Sequence, residues 1–313
     1  MLKSTAKSAL QSIARALPWG AKQALLDGML GSLDQFERFQ QIGRVLGVES
    51  ISVRGANGLV WGSINDKWLL GDYAIRRKWA FNIVELFQQF FSSRHDGGTY
   101  LDIGANIGLT LFPIARNPLV QCYGFEAEPK NFAYLNLGLR ANCLQDNVLL
   151  SQLAIFDSKA EVKFELSPNN LGDHRIRISD SDGLLGEGSR ETIVVQADRL
   201  DNLFDVDCLK RPLAVKIDTQ GSEPRIFAGG ERTLAPAELV SFEFAPHSMR
   251  RIGGNVEAEF RFLAAHFREG SVAVGDEECT FQWRPISAVV DELRNCWTDP
   301  GVGTKYLDVT VRK

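Results

Sequence analysis

Asp102, Gly104 and Gly108 belong to a glycine-rich turn that follows a predicted strand and precedes a predicted helix. Glycine lets the backbone turn sharply and lets a ligand approach the main chain closely. The spacing is Gly-x-Asn-x-Gly, with Asn106 at its centre, and differs from the Gly-x-Gly-x-x-Gly of dinucleotide-binding enzymes. The Asp102 carboxylate would repel a pyrophosphate but suits a cationic or hydroxyl-rich ligand. S-adenosylmethionine is such a ligand, because it has an amino group, a sulfonium and no phosphate.

Glu126 provides a second carboxylate, 18 residues after Gly108 and directly after the next predicted strand. In nucleoside-binding α/β proteins, an acidic residue at this place accepts hydrogen bonds from the ribose hydroxyls. Glu128 precedes Pro129, a pair typical of the first turn of a helix, so we predict that Glu128 caps a helix. The turn and Glu126 together predict a nucleoside site.

Four residues further along the chain are candidates for moving a proton: Asp218, Glu243, His247 and His174. A neutral hydroxyl must lose its proton to become a good nucleophile. We rank Asp218 and Glu243 first because both lie at the ends of predicted core strands. Asp218 could instead form a structural ion pair with Lys216, which points to the same face of its strand. Asp218, Glu243 and His247 could also hold a metal ion, but their spacing is not diagnostic, and we predict no metal.

The pattern of elements predicts where these residues meet. From residue 99 onward, short apolar runs alternate with helical patterns, which favours a parallel sheet with helices on both faces. The predicted strands are 99–103, 121–125, 148–150, 213–217, 239–242 and 306–311. The carboxyl ends of parallel strands meet at one edge of a sheet, so we expect Asp102, Glu126 and Asp218 to face one crevice.

Other segments frame this sheet. Residues 51–61 predict a hairpin that turns at Asn57-Gly58. A helix is predicted over about 74–92, with Trp79, Ile83, Leu86 and Phe90 on one face. Residues 167–191 are polar and predict a long loop, and loops of this length are often functional.

The composition limits the classes of protein. Hydrophobic residues make up 44% of the 313 residues and charged residues 24%, as in typical soluble globular proteins. The net charge of −4 and the lack of a basic stripe disfavour nucleic acid as a partner. The five cysteines include no Cys-x-x-Cys pair, which favours reduced thiols in a cytoplasmic protein. No apolar run is long enough to span a membrane.

The first 30 residues predict an amphipathic helix, with Leu10, Ile13 and Leu17 on one face. A secretory signal needs a continuous apolar run, which Gln11, Ser12 and Arg15 interrupt, so we do not expect one. We expect it to pack on the main domain, and weak contact with a membrane surface or a partner stays open. We divide the chain into an N-terminal helical and β-hairpin extension (1–72) and a main domain (73–313), and leave a homodimer open.

The glycine-rich turn and three later segments resemble the FkbM family of S-adenosyl-L-methionine-dependent methyltransferases, within the class I, Rossmann-like methyltransferases. The segments are 100–108, 124–132, 215–230 and 242–246, and the resemblance extends over about 75–270. It implies an α/β fold with a mostly parallel seven-stranded sheet, helices on both faces, and S-adenosylmethionine as cofactor. The chain departs from the family at Gln220, where glutamate is frequent. Pro113 predicts a kink in the helix after the turn.

The resemblance also implies roles for individual residues. Those around the methionine part are Asp102, Gly104, Ala105, Asn106 and Gly108. Those around the nucleoside are Glu126 and Ala127 at the ribose, and Gln152 and Ala154 at the adenine. Asp218 would bind the cofactor amino group or orient the acceptor.

The function implied is O-methylation of a small molecule or glycan by in-line transfer, with Asp218, Glu243 and His247 as candidate catalytic residues. An alternative is a noncatalytic nucleoside-binding or scaffolding domain that keeps the fold. A nicotinamide-dependent oxidoreductase is disfavoured by the glycine spacing and by Asp102. The sequence also lacks the Asn/Asp-Pro-Pro-Tyr signature of amino-group methylation of nucleobases.

Overall fold

The computed structural model describes residues 35–93, 95–168, 170–274 and 280–313. The predicted amphipathic helix with Leu10, Ile13 and Leu17 lies outside these residues. No helix in the described ranges is long and apolar enough to cross a membrane.

The strands are β1 (Ser50–Gly55), β2 (Gly58–Ser63), β3 (Gly98–Ile103), β4 (Val120–Phe125), β5 (Val148–Ser151), β6 (Ala154–Phe156), β7 (Ala160–Leu166), β8 (Arg175–Ile176), β9 (Glu191–Arg199), β10 (Leu213–Ile217), β11 (Leu239–Phe244), β12 (Glu269–Ala273), β13 (Arg284–Pro285) and β14 (Leu307–Arg312). The α-helices are α1 (Gln35–Leu46), α2 (Asp72–Arg76), α3 (Phe81–Ser92), α4 (Leu111–Ala115), α5 (Pro129–Ala141), α6 (Leu200–Leu203), α7 (Glu223–Gly229), α8 (Glu231–Leu234), α9 (Pro246–Ile252), α10 (Val256–His266) and α11 (Ile286–Thr298).

The central sheet has the strand order β13-β12-β14-β11-β10-β3-β4-β5. Strands β11, β10, β3, β4 and β5 are parallel, whereas β14 runs antiparallel between β11 and β12. The predicted α/β fold with a mostly parallel sheet is confirmed. Within the described residues the sheet has eight strands, one more than predicted, because the two-residue β13 pairs with the edge of β12.

Both faces of the sheet are buried, which explains why its central strands are almost continuously apolar. All six residues of β3 are buried. Tyr100 and Ala214 are neighbours across the β3–β10 pair and belong to the core on one face, with α3 and α5. Leu101 and Val215, the next pair, belong to the core on the other face, with α7, α10 and α11. Alternate residues thus serve opposite layers of helices.

Two helix predictions need correction. The single helix predicted over about 74–92 is wrong, because the left-handed backbone at Arg77 (φ 60°) and Ala80 (φ 42°) separates α2 from α3. The most buried residues of α3 are Val84, Phe87 and Phe91, and the predicted Ile83, Leu86 and Phe90 pack against the same core while partly exposed. The predicted kink at Pro113 is also wrong. Proline is the third residue of the five-residue α4, where no helical hydrogen bond is lost.

A second sheet of four strands, in the order β6-β9-β7-β8, was not predicted. This second sheet begins directly after β5 in the chain. The linking residue Leu153 donates its N–H to the carbonyl of Glu126, just after the end of β4, and leads into β6. The predicted loop over 167–191 contains β8 and a short 3-10 helix, Glu187–Ser189. The hairpin is confirmed: β1 and β2 are antiparallel, and Gly55 pairs with Gly58.

Candidate active site

A cavity of about 650 Å³ lies at the carboxyl ends of the parallel strands. Its wall includes a residue just beyond each of three strand ends, Gly104 after β3, Glu126 after β4 and Asp218 after β10. Glu243, near the end of β11, lines it as well. This is where open α/β sheets bind ligands, and the sequence predicted that these residues would meet here.

The glycine-rich turn packs tightly against the neighbouring strand end. Gly104 has φ 82°, and a Cβ at this position would lie 1.9 Å from the carbonyl oxygen of Asp218. Asn106 (φ 49°) and Gly108 (φ 90°) are also left-handed. Gly104 and Ala105 both donate their N–H groups to the carbonyl of Phe125 at the end of β4. The turn is therefore fixed against both neighbouring strands, and only glycine fits at 104.

Glu126 joins the turn to the segment after β4. Its Oε2 accepts the N–H of Asn106 at 2.9 Å, and its Oε1 accepts the N–H of Glu128 at 2.8 Å. Burial raises the pKa of Glu126 to about 7, although these two hydrogen bonds oppose the shift. Each carboxylate oxygen can accept a second hydrogen bond, so the group can still bind a hydroxyl. Glu128 accepts the N–H of Asn131 at 2.6 Å, which confirms its predicted role as the cap of α5.

Four buried polar atoms of residues in the cavity wall have no hydrogen-bond partner among the described residues: Asn106 Oδ1, Ser222 Oγ, and the Nε atoms of Arg175 and Arg190. A buried polar atom that lacks a hydrogen bond destabilises the protein, so such atoms often mark a ligand position. The amide oxygen of Asn106 suits an N–H or O–H donor, such as the ammonium group of S-adenosylmethionine. The residues present therefore fit this cofactor.

Residues 170–174, which we name the covering loop, line the cavity above the glycine-rich turn. The carbonyl of Leu171 accepts one hydrogen bond from Asn106 Nδ2 and one from Asn131 Nδ2, each at 3.1 Å. Arg175, which follows this loop, is only 1% exposed and forms ion pairs with Asp173 and Glu165. The loop is thus anchored on one side by the glycine-rich turn and α5 and on the other by the second sheet.

Asp102 lies behind the cavity wall rather than in it. It is fully buried, and its Oδ2 accepts a hydrogen bond from Thr110 Oγ1 at 2.6 Å. Lys216 Nζ lies 3.4 Å from Asp102 and 3.4 Å from Asp218. Burial lowers the pKa of Lys216, but the two carboxylates outweigh it and raise the pKa above its usual value. Lys216 thus connects Asp102 to the cavity, and the predicted Lys216–Asp218 ion pair is present.

Glu243 and Asp218 are bridged by Gln220, a residue that sequence reasoning noted only as a departure from the family. Gln220 Nε2 donates to Asp218 Oδ1 at 2.9 Å and to Glu243 Oε2 at 3.2 Å. Burial raises the pKa of Glu243 well above its usual range, and the nearby carboxylates Asp218, Glu223 and Asp308 raise it further. The cavity therefore holds one carboxyl group that favours the protonated form beside one that is paired with a lysine.

The two histidines occupy other positions. His247 Nε2 lies 2.7 Å from Glu187 Oε1, and His247 does not line the cavity. His174 does line it, but its Nδ1 accepts the N–H of Ser167 at 2.9 Å, and burial lowers its pKa to about 4. The proton of the neutral ring is then on Nε2, so His174 has no nitrogen free to act as a base and is a poor candidate for that role.

Two further residues named from the sequence lie outside the cavity wall. Gly108 belongs to the turn but lies behind it, and Gln152 is exposed, so the predicted contact of Gln152 with adenine stays a prediction. Ala105, Ala127 and Ala154 do line the cavity. Across the part of the chain that the structure describes, no three His, Cys, Asp or Glu residues are grouped as a metal site would require.

The cavity is also lined by aromatic residues that sequence reasoning did not assign to the site, which we call the aromatic wall. The aromatic residues in this wall are Trp68, Trp79, Phe281 and Tyr306. Asn57 fixes Trp79, because its Nδ2 donates to the Trp79 carbonyl at 2.9 Å and its Oδ1 accepts the Trp79 N–H at 3.0 Å. The same Nδ2 donates to the carbonyl of Leu109 at 2.7 Å. The turn between β1 and β2 thereby holds both Trp79 and Leu109, the residue that follows the glycine-rich turn.

Comparison with known proteins identifies the kind of domain. Residues 102–281 match the family model described as Methyltransferase FkbM domain. No curated protein matches the chain.

Among solved structures, the chain is similar to a putative transferase from Pyrococcus horikoshii, with 13% identity over 91% of this chain and 86% of that one and a TM-score of 0.41. It is also similar to M. jannaschii TYW2 in complex with AdoMet, with 10% identity over 84% and 85% of the two chains and a TM-score of 0.40. A putative O-methyltransferase from Klebsiella pneumoniae is 10% identical over 74% and 80% of the two chains, with a TM-score of 0.38.

Proposed function

Because the chain belongs to the FkbM family of S-adenosylmethionine-dependent methyltransferases, we propose that it methylates a hydroxyl group of a small molecule or a glycan. The observation that carries the choice of an oxygen acceptor is the pair of carboxyl groups, Asp218 and Glu243, in the cavity wall. A hydroxyl needs a base to remove its proton during the reaction, and a carboxylate beside the cofactor site supplies one.

The cofactor supplies a methyl group that its sulfonium already activates. In this proposal, Gly104, Ala105 and Asn106 bind its methionine part, with Asn106 Oδ1 accepting from the ammonium group. Glu126 and Ala127 bind the ribose, and Ala154 lies at the adenine. Two more residues act indirectly: Asp102 holds Lys216 and Thr110, and Gly108 permits the turn.

The acceptor would lie between the two carboxyl groups and the aromatic wall. Trp68 is 60% exposed although it lines the cavity, so it presents a large apolar surface to a ligand. Aromatic rings pack well against the flat face of another ring, whether it belongs to a sugar or to a small aromatic molecule. Asn82, Thr280 and Thr304 add polar groups to the cavity lining. This mixture suits a ring that carries hydroxyls.

His247 acts differently in this proposal. Its contact with Glu187 joins α9 to the segment that follows the covering loop, and Arg251 Nε lies 3.4 Å from the same carboxylate oxygen. We propose that His247 fixes this segment beside the acceptor rather than reacting with the acceptor. The residue that takes the proton is then Asp218 or Glu243.

Calorimetry with S-adenosylmethionine and S-adenosylhomocysteine tests the first step, and the absence of binding heat with both would remove the proposal. Methyl-labelled S-adenosylmethionine is then incubated with sugars, phenols and aliphatic alcohols. We expect a labelled methyl ether from one of these classes, and we expect Asp218→Asn to lower its yield about 10²-fold. Asp146→Asn, which changes an exposed aspartate, is the matched control. Binding without transfer to any acceptor would favour the noncatalytic alternative.

A further inference from the structure

The backbone around Gln220 adopts an unusual and tightly packed conformation. Its φ is 59°, a left-handed conformation that is uncommon for a residue other than glycine, and such strain is concentrated at functional sites. Gly221 follows with φ 113°, and a Cβ there would lie 2.6 Å from the backbone carbon of Ser248. The turn therefore has no room to relax toward α9.

Glu223 fixes this turn through three hydrogen bonds. Its Oε1 accepts the N–H of Thr219 at 2.9 Å and the hydroxyl of Thr219 at 2.8 Å, and its Oε2 accepts the N–H of Gly221 at 2.8 Å. Glu223 is fully buried, so these bonds are protected from water. The backbone on both sides of Gln220 is thus fixed, and its amide is directed at the two carboxyl groups.

The amide nitrogen of Gln220 has two hydrogens, and each finds a different carboxyl group. One bond reaches Asp218 Oδ1 at 2.9 Å and the other reaches Glu243 Oε2 at 3.2 Å. An amide turned the other way would place its oxygen against the Asp218 carboxylate, which can only accept, so the donor orientation is the favourable one. One side chain thereby bonds to both acids.

The surrounding charges differ for the two acids. Asp218 forms an ion pair with Lys216, whose Nζ lies 3.4 Å from Asp218 Oδ2. Glu243 has the acids Asp218, Glu223 and Asp308 around it, just after β10, on α7 and on β14, and Asp308 is its direct neighbour across the β11–β14 pair. Like charges disfavour a second anion, so a proton shared by this pair resides on Glu243.

We propose that Gln220 is a positioning residue that holds Asp218 and Glu243 as one acid pair, with the proton on Glu243 and the charge on Asp218. This proposal rests on the proposed function, and it assigns different roles to the two acids. As the acceptor oxygen forms its bond to the methyl carbon and the bond from sulfur to that carbon breaks, the hydroxyl proton passes to Asp218. Glu243 keeps its own proton and can donate a hydrogen bond to the acceptor.

The test is ¹³C NMR of the full-length protein with labelled Asp and Glu carboxyl carbons, titrated over the range in which it stays folded. The resonance of Glu243 is assigned by its loss in Glu243→Gln. We expect it to titrate at higher pH than exposed glutamates, and to move to still higher pH in Gln220→Leu, because the hydrogen bond to the carboxylate is lost. A Glu243 midpoint that Gln220→Leu leaves unmoved would overturn the proposal.

Two further variants make the test specific. In Gln196→Leu, which removes a surface amide that donates to Glu161 at 2.9 Å, the Glu243 midpoint should stay in place. If Gln220→Leu does not fold, Gln220→Glu keeps the shape and adds a third acid, and it should raise the Glu243 midpoint. An unchanged midpoint in Gln220→Glu counts against the proposal in the same way.

The roles of the two acids are tested by turnover on an acceptor found as above. Asp218→Asn should lower kcat by a larger factor than Glu243→Gln, because glutamine keeps a neutral donor at 243. The reverse order would overturn the assignment of the proton. If no cofactor binds, the proposed function fails, whereas the NMR titration still decides whether the acid pair exists.

Discussion

Glu126 accepts the backbone N–H of Asn106, with 2.9 Å between Oε2 and the nitrogen. The two residues are 20 positions apart and follow neighbouring parallel strands, β3 and β4. Their contact means that the glycine-rich turn and the proposed ribose carboxylate form one continuous surface. It also means that any change at Glu126 affects the turn that would hold the methionine part.

We predict that Glu126→Ala weakens binding of S-adenosylhomocysteine by about 1–3 kcal/mol, because hydrogen bonds to a charged acceptor are lost. Isothermal titration calorimetry measures this directly. Glu85→Ala, which removes an exposed glutamate on α3, is the control and should leave the affinity unchanged. Equal affinities for the wild type and Glu126→Ala would show that the ribose assignment is wrong.

Binding should also depend on pH through Glu126. Burial raises its pKa to about 7, so the carboxyl group is largely protonated below that pH and ionised above it. Ribose hydroxyls donate to the ionised form, and binding therefore favours loss of the proton. We predict that affinity for S-adenosylhomocysteine rises as the pH increases through about 7. Glu126→Gln, which cannot ionise, should show a flatter profile, and an equally steep one would contradict the assignment.

Sequence alone locates the turn and Glu126 because both signals are local. Glycine spacing at the end of an apolar run identifies the turn, and the next strand end identifies the acid. Parallel pairing then places them together, as the register of Asp102 opposite Gly124 shows. The same reasoning brings Asp218 and Glu243 to the cavity, since each lies at or near the end of a buried strand.

The remaining features depend on contacts between distant parts of the chain. Asn57 appears in the sequence only as a turn residue, and its bonds to Trp79 and Leu109 span 22 and 52 positions. The break before α3 arises from left-handed backbone at Ala80, for which alanine gives no sequence signal. The strand β7 does alternate in sequence, and this signal could have revealed part of the second sheet.

The Asn57 contacts predict a loss of stability. Asn57 is 3% exposed, and Asn57→Ala would leave the N–H and carbonyl of Trp79 and the carbonyl of Leu109 without these partners. We predict that the variant lowers the free energy of unfolding by about 2–3 kcal/mol, as measured by urea denaturation. Asn65→Ala, at an exposed asparagine between β2 and the following helix, should cost far less. Similar losses in the two variants would mean that the hydrogen bonds of Asn57 contribute little to stability.

The lowered pKa of His174, in the covering loop, predicts how the stability of the protein depends on pH. Burial lowers its pKa from 6.5 to about 4, so between these values the unfolded chain binds a proton that the folded protein does not. Burying the neutral His174 ring therefore carries no proton-linked loss of stability above about pH 6.5, and the loss grows as the pH decreases toward 4. Glu126 and Glu223, whose pKa values burial raises to about 7, act in the opposite direction, so the comparison must be made between variants.

We therefore predict that His174→Asn, which keeps an acceptor for the Ser167 N–H, loses less stability between neutral pH and about pH 5 than the wild type does. The difference should be on the order of 1 kcal/mol, measured by urea denaturation at the two pH values. His95→Asn, at an exposed histidine, should behave like the wild type. If His174→Asn and the wild type lose the same stability, His174 is not held neutral by burial, and its Nδ1 does not accept the Ser167 N–H in solution.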